Sequence, residues 1–318
     1  MKIALVIFIT LALAGCALLS LHMGVIPVPW RALLTDWQDG REHYYVLMEY
    51  RLPRLLLALF VGAALAVAGV LVQGIVRNPL ASPDILGINH AASLASVGAL
   101  LLMPSLSVMV LPLLAFAGGM AGLILLKMLA KPHQPMKLAL TGVALSACWA
   151  SLTDYLMLLH PQDVNSALLW LTGSLWGRDW HFVKITVPLL ILFLPLSLRF
   201  CRDLDLLALG DARAATLGVS VQRTRFQGLM LAVAMTATGV AVCGPISFIG
   251  LVVPHMVRRI AGGRHRWLMP VSALTGALLL VIADLLARII HPPLELPAGV
   301  LTAIIGAPWF VSLLVRMR

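Results

Sequence analysis

The sequence predicts an all-α membrane protein that crosses the bilayer about ten times as one domain over residues 1–318. Three observations predict it. Of the 318 residues, 61% are hydrophobic and only 11% are charged, against roughly a quarter charged in soluble domains. Apolar stretches long enough to match about 30 Å of hydrocarbon recur along the whole chain. Between them, short breaks hold most of the Lys and Arg. The formal charge of +10 therefore reads as topology, because a nucleic-acid face would gather its basic residues on one surface among aromatics.

The first stretch, 3–25, contains Leu13-Ala14-Gly15-Cys16, which fits a lipoprotein cleavage box. The apolar run continues past Cys16 to Val25, so an uncleaved first helix is the preferred reading. The second stretch, 52–75, follows "YRLPR", which sets Arg51 and Arg54 three apart on one helical face. Gly62, Ala63, Ala66 and Gly69 then offer a surface for close helix packing. In "VRNPLASPDILG", Pro79 and Pro83 forbid a continuous helix. Ser82 as N-cap, Pro83 in the first turn and Asp84 beside it are expected to start the third helix, 84–103. The fourth, 108–130, carries Gly118 and Gly122, and the fifth, 137–160, carries Asp154 near its end.

After the sixth stretch, 182–200, comes "DLDLLALGDARAATLGV", Asp203 to Val219, which is too polar for its surroundings. It parses as two short helices, the first capped by Asp203 or Asp205 and ended by Gly210, the second capped by Asp211 and ended by Gly218. Neither is long enough to hold alone in water. An amphipathic loop resting on lipid is one reading. Three acids beside an anionic leaflet favour a protein partner.

The remaining stretches are 226–243, 246–262, 267–290 and 297–315. Pro245 should open the eighth and Pro254 interrupt it. Asp284 and Arg288 stand four apart in the ninth, a favourable local pair. An even count puts both termini on one side. With that side cytoplasmic, sixteen of the 23 Lys and Arg face inward, among them Arg77, Arg213 and Arg258, and seven face outward, including Arg51, Arg54 and Arg288.

No HExxH, GxSxG or P-loop pattern occurs, so no catalytic centre is expected and any ATP must bind another chain. The four cysteines are dispersed, without metal or disulfide spacing. Asp154 and Asp284 lie inside spans, where an acid is a functional candidate by default. An ion-coupled secondary transporter using either one is the alternative reading. His255 has no partner ligands nearby in sequence, and a structural role is expected for it.

The segments "RLPR", "NPLASPDILG", "LTGVAL", "LLWLTGSLWGRDW", "LALGDARAATLGV", "GPISFIGLVVPH", "HRWLMPVSALTGALLLVIADLLAR" and "ELPAGVLTAIIGAP" occur in this order from Arg51 to the C-terminus. Together they resemble the permease subunits of bacterial ABC importers for iron chelates and vitamin B12, most closely the branch that carries ferric dicitrate. The resemblance implies the type II ABC importer permease architecture, with ten helices and both termini cytoplasmic, in the bacterial inner membrane. It also implies a sister permease subunit in a heterodimer, two ATPase subunits that bind ATP and Mg, a periplasmic substrate-binding protein, and no cofactor or metal on this chain.

Onto this sequence it carries Arg51, Arg54 and Arg288 as docking residues for the binding protein. Asn78 and Leu80 fall at a cytoplasmic gate, and Gln134, Pro135 and Met136 at a second gate. The resemblance also implies a short periplasmic helix at about 164–178, with Trp170 and Trp180 as interface anchors. Coupling helices that dock in the ATPase fall at about 203–225, using Asp203, Asp205, Leu206, Leu207, Gly210, Asp211, Ala212, Arg213, Ala215, Leu217 and Gly218.

Overall fold

The computed structural model describes residues 2–84, 86–103, 105–130 and 135–316. In chain order the helices are α1 (Lys2–His22), the single turn α2 (Ala32–Thr35), α3 (Leu52–Val76), α4 (Ile88–Leu102), α5 (Leu111–Leu129), α6 (Pro135–Leu159), α7 (Val164–Leu171), α8 (Trp180–Ser197), α9 (Cys201–Leu207), α10 (Asp211–Thr216), α11 (Val221–Cys243), α12 (Ile249–Ala261), α13 (His265–Ile289) and α14 (Ala298–Arg316). Helix is the expected outcome, since hydrocarbon offers no partner to a backbone that does not satisfy itself.

Among the described residues, seven helical segments are long and apolar enough to cross a membrane: Lys2–His22, Tyr45–Val76, Leu111–Leu129, Lys137–Leu159, Trp180–Leu207, Val221–Cys243 and His265–Ile289. Ile88–Leu102 and Ala298–Ser312 are apolar but shorter, and α12 has 13 residues. At 1.5 Å per residue α4 reaches only about 22 Å, less than the hydrocarbon thickness.

The shortness has a local cause. Pro83, Asp84, Leu86 and Gly87 do not start a helix but lie in turns, with Leu86 N–H donating to Pro83 O at 3.2 Å and Gly87 N–H to Asp84 O at 3.0 Å. Gly87 then takes a φ of +81° and α4 begins after it. Ser82 is therefore not the N-cap that the sequence grammar predicts. The second break is similar. Gly244 and Phe248 have φ of +71° and +70°, so Pro245 lies in a loop and α12 starts at Ile249. The two loops meet inside the bundle: the Asp84 carboxylate accepts from the Phe248 backbone N–H, and Gly250 lies beside both Pro83 and the Leu65 carbonyl. Leu65 is midway along α3, so both interruptions sit at mid-depth.

α3 forms the centre, buried along almost its whole length against α8, α11, α12 and α13. Lipid tails are as apolar as leucine, so hydrophobicity alone does not press helices together in a bilayer, and close packing must do it. Gly62 of α3 meets Gly276 of α13 backbone to backbone, and Gly69 meets Gly250 of α12 in the same way. Gly118 and Gly122 of α5 receive Ala91 and Ala95 of α4. The small residues read from the sequence are thus the helix contacts.

Candidate functional site

At one end of the bundle α8 does not stop. A single 3-10 turn, Leu198–Phe200, carries it into α9. α9 and α10 then form a hairpin that turns at Gly210, whose φ is +102°. Leu204, Leu207 and Ala214 are buried beneath it. Of the stretch 203–225, the residues from Val221 onward belong to α11.

The three acids play another part than the sequence predicts. None caps its own helix, since α9 and α10 have Phe200 and Gly210 at their N-caps without a side-chain bond. Asp203 accepts from Thr224 Oγ1 at 3.0 Å. Asp205 accepts from the His265 backbone N–H at 3.0 Å and contacts its Nδ1 at 2.6 Å, thereby capping α13 across the fold. Asp211 bridges Arg225 at 2.8 Å and Arg77 at 3.2 Å. These carboxylates are fasteners that hold the hairpin to the bundle. What the hairpin presents outward is Leu209, Ala212, Arg213, Ala215, Leu217 and Gly218, with Leu209 and Leu217 about half exposed at 51% and 52%. Leu206 is half-buried. An exposed apolar tip on a clamped support suits packing against a soluble protein surface.

At the opposite end Arg51, Arg54 and Arg288 are 3%, 2% and 2% exposed, not free docking groups. Arg54 Nε donates to Asp284 Oδ1 at 2.7 Å and its Nη1 to Glu295 Oε2 at 2.5 Å. Tyr50 Oη donates to the other Glu295 oxygen at 3.0 Å. Arg288 lies 3.4 Å from Asp284 and donates to the Ser20 carbonyl at 3.1 Å and to its hydroxyl. Arg51 donates to the carbonyls of Leu21, His22 and Ile26. The sequence cannot show this, because a helical wheel assigns Arg54 a face but not what covers it. The main partner of Asp284 is Arg54, not its own-helix neighbour Arg288. Glu295 was missed, and its only signal is that it is a lone acid in an apolar loop.

Asn78 and Leu80 form a tight turn after α3, with Leu80 N–H donating to Asn78 Oδ1 at 2.9 Å. Asn78 is exposed and Leu80 half-buried, following Arg77 in the left-handed region at φ +56°. Gln134 lies outside the described residues, as do the side chains of Pro135 and Met136, which begin α6.

The short helix predicted at 164–178 ends at Leu171. Trp170 is buried rather than interfacial, and Arg178 stacks over it at 5.5 Å and over Phe182 at 4.7 Å. Burial pulls the Arg178 guanidinium below its ordinary range. Trp180 Nε1 donates to Met48 O at 2.8 Å. Asp179 caps α8 through the His181 N–H at 2.9 Å. Partial burial acts to raise the Asp179 carboxyl, but its bonds from His181 outweigh that and hold it below the usual carboxylate range. His255 sits edge-on to Trp309 at 5.4 Å, a packing role.

Residues 10–316 match the model of the FecCD transport family. The chain belongs to the FecCD transport family. Among FecCD relatives, it is 91% identical over 318 residues, all of both chains, to the Fe(3+) dicitrate transport system permease protein FecD of Escherichia coli K12. It is 45% identical to the Fe(3+)-citrate import system permease protein YfmE of Bacillus subtilis 168, across 97% of this chain and 94% of that one. The fold is shared with a solved inward-facing structure described as a metal-chelate type ABC transporter, at a TM-score of 0.87, 30% identity and 99% coverage of both chains. The hairpin and the arginine cluster are thus features of a FecCD chain matched along its length.

Proposed function

We propose that this chain is a noncatalytic permease half of an ATP-driven importer, moving ferric dicitrate from periplasm to cytoplasm across the bacterial inner membrane. The observation that carries this reading is the full-length 91% identity to a ferric dicitrate permease. The likeness to a metal-chelate ABC transporter supports the ATP-driven arrangement. The importer is completed by a sister permease, two ATPase subunits that bind ATP and Mg, and a periplasmic binding protein. All ten apolar helical stretches cross or enter the membrane, both termini are cytoplasmic, and the hairpin faces the ATPases. The short α4 and α12 take part because their interrupted ends are sheltered inside protein, where irregular backbone is tolerated.

In this reading ATP binding draws the ATPases together. The α9–α10 hairpin moves with them through Leu209 and Leu217, and the bundle rocks to switch which end of the path is open. Because α9 continues α8 and Asp205 caps α13, the displacement reaches two long helices directly. Asn78 and Leu80, beside the hairpin's Arg77–Asp211 bridge, gate the cytoplasmic end. The binding protein docks on the opposite face. A docking role for Arg54 or Arg288 requires that its acids replace Asp284 and Glu295, and one for Arg51 that they replace the carbonyls of Leu21, His22 and Ile26.

An ion-coupled carrier using Asp154 or Asp284 is not favoured, since the chain matches ABC-importer permeases along its length and Asp284 is engaged by Arg54 and Arg288. The test is uptake of radioactive iron citrate into proteoliposomes holding the assembled complex, with binding protein outside. Uptake should require internal ATP and survive an uncoupler. Transport without ATP that collapses with the uncoupler overturns the reading.

A further inference from the structure

Where the two interrupted loops meet, a cavity of about 280 Å³ opens between α4, α6, α7 and the loop before α12. Its polar lining includes Asp84, Asn89, His90, Ser93, Thr153 and Asp154. Hydrogen-bond arithmetic shows what it wants. Asn89 Nδ2 donates to the Asp84 carboxylate, which orients the amide and leaves Asn89 Oδ1 without a partner. The Ser93 hydroxyl is likewise unpartnered, and both residues are only 3% exposed. Thr153 spends its proton on the Trp149 carbonyl at 2.9 Å, so it too can only accept. Two carboxylates and three neutral side-chain oxygens thus belong to residues that line one space. Buried acceptors left unmet are costly.

His90 and Asp154 stand at the rim and are exposed, although both belong to apolar helices. Lipid would not tolerate that face, so it looks onto water or protein.

We propose that this cavity holds a hydrated alkali cation, resident on the permease where its two interrupted loops meet. Hard cations are bound through oxygen, the only kind of ligand these five groups offer. A dehydrated divalent ion fits less well, since among the described residues no three His, Cys, Asp or Glu side chains converge on one point. With room for about nine waters at their liquid volume of ~30 Å³ each, the cavity suits an ion that keeps part of its shell. The consequence is electrostatic. Bare Asp84 and Asp154 would leave two negative charges inside a protein that an anionic chelate must cross, and a resident cation offsets them. ATP remains the motor, and the chain then carries an ion that its sequence does not announce.

This inference rests on the chelate-import reading, and the test separates the two. Proteoliposomes with ATP and potassium fixed inside take up iron citrate while external sodium or potassium is exchanged for N-methylglucamine at constant ionic strength. Uptake should fall severalfold in N-methylglucamine, and Asp154→Asn should raise the sodium concentration for half-maximal uptake about tenfold, the scale of one charged ligand. Ser93→Ala, which removes only a hydroxyl, should shift it in the same direction. If Asp154→Asn fails to assemble, the wild type and Ser93→Ala decide. Equal ATP-driven rates in sodium and N-methylglucamine overturn the cation site while leaving the import reading intact. Unchanged half-maximal sodium in the variants overturns it as well.

Discussion

Asp284 is 1% exposed and is shared by Arg54 and Arg288, so its carboxylate neutralises charge that cannot reach water. Removing one partner of a buried pair leaves the other charge uncompensated, which costs roughly 3–5 kcal/mol. Asp284→Ala should therefore lower the thermal stability of the purified permease sharply. Glu295→Gln should cost less, because Arg54 keeps Asp284 and an amide oxygen still accepts. Charge reversal at Arg54 should likewise unfold or disassemble the permease, rather than impair docking alone. Asp179 offers a pH test. Its folded-state pKa is depressed, so its contribution is complete above the unfolded carboxylate pKa of about 3.9 and is lost as pH falls through the lower folded value. The melting-temperature gap between wild type and Asp179→Ala should be full near pH 6 and shrink below about pH 4. A gap that does not change with pH would refute the capping assignment.

Among the elements, the hairpin separates support from contact. Leu209→Asp together with Leu217→Asp should abolish co-purification of the ATPase subunits without altering the melting of the permease, because both side chains are exposed. Asp205→Ala should do the reverse: it frees the start of α13 and loosens the hairpin, lowering stability by about 1 kcal/mol, the ordinary value of a cap. Helix packing obeys a stricter rule. A Cβ at Gly69 would overlap the backbone of Gly250, so Gly69→Ala must push α3 and α12 apart, at a cost of roughly 1–3 kcal/mol. Gly15→Ala, where nothing lies within 4 Å, should leave the melting temperature unchanged.

Over the whole molecule, the sequence by itself determined that the chain is a membrane-embedded helical bundle, where its helices lie, which small residues bring them together, and that a polar hairpin interrupts it. These follow from composition and spacing, because hydrocarbon forces each segment to satisfy its own backbone. Helix starts near Ser82 and Pro245 were misplaced because local capping preferences are weaker than the tertiary contacts that join the Asp84 and Phe248 loops. The second gate at Gln134, Pro135 and Met136 stays an expectation from resemblance. Only the tertiary structure decided what each charge does. Arg51, Arg54 and Arg288 turned out enclosed, Asp203, Asp205 and Asp211 turned inward, and Asp84 met Asn89 at the floor of a cavity. The reason is physical: a charge in a low-dielectric bundle takes its role from whatever lies within about 4 Å, and those neighbours come from helices up to 268 residues away in the chain, as Arg288 and Ser20 do.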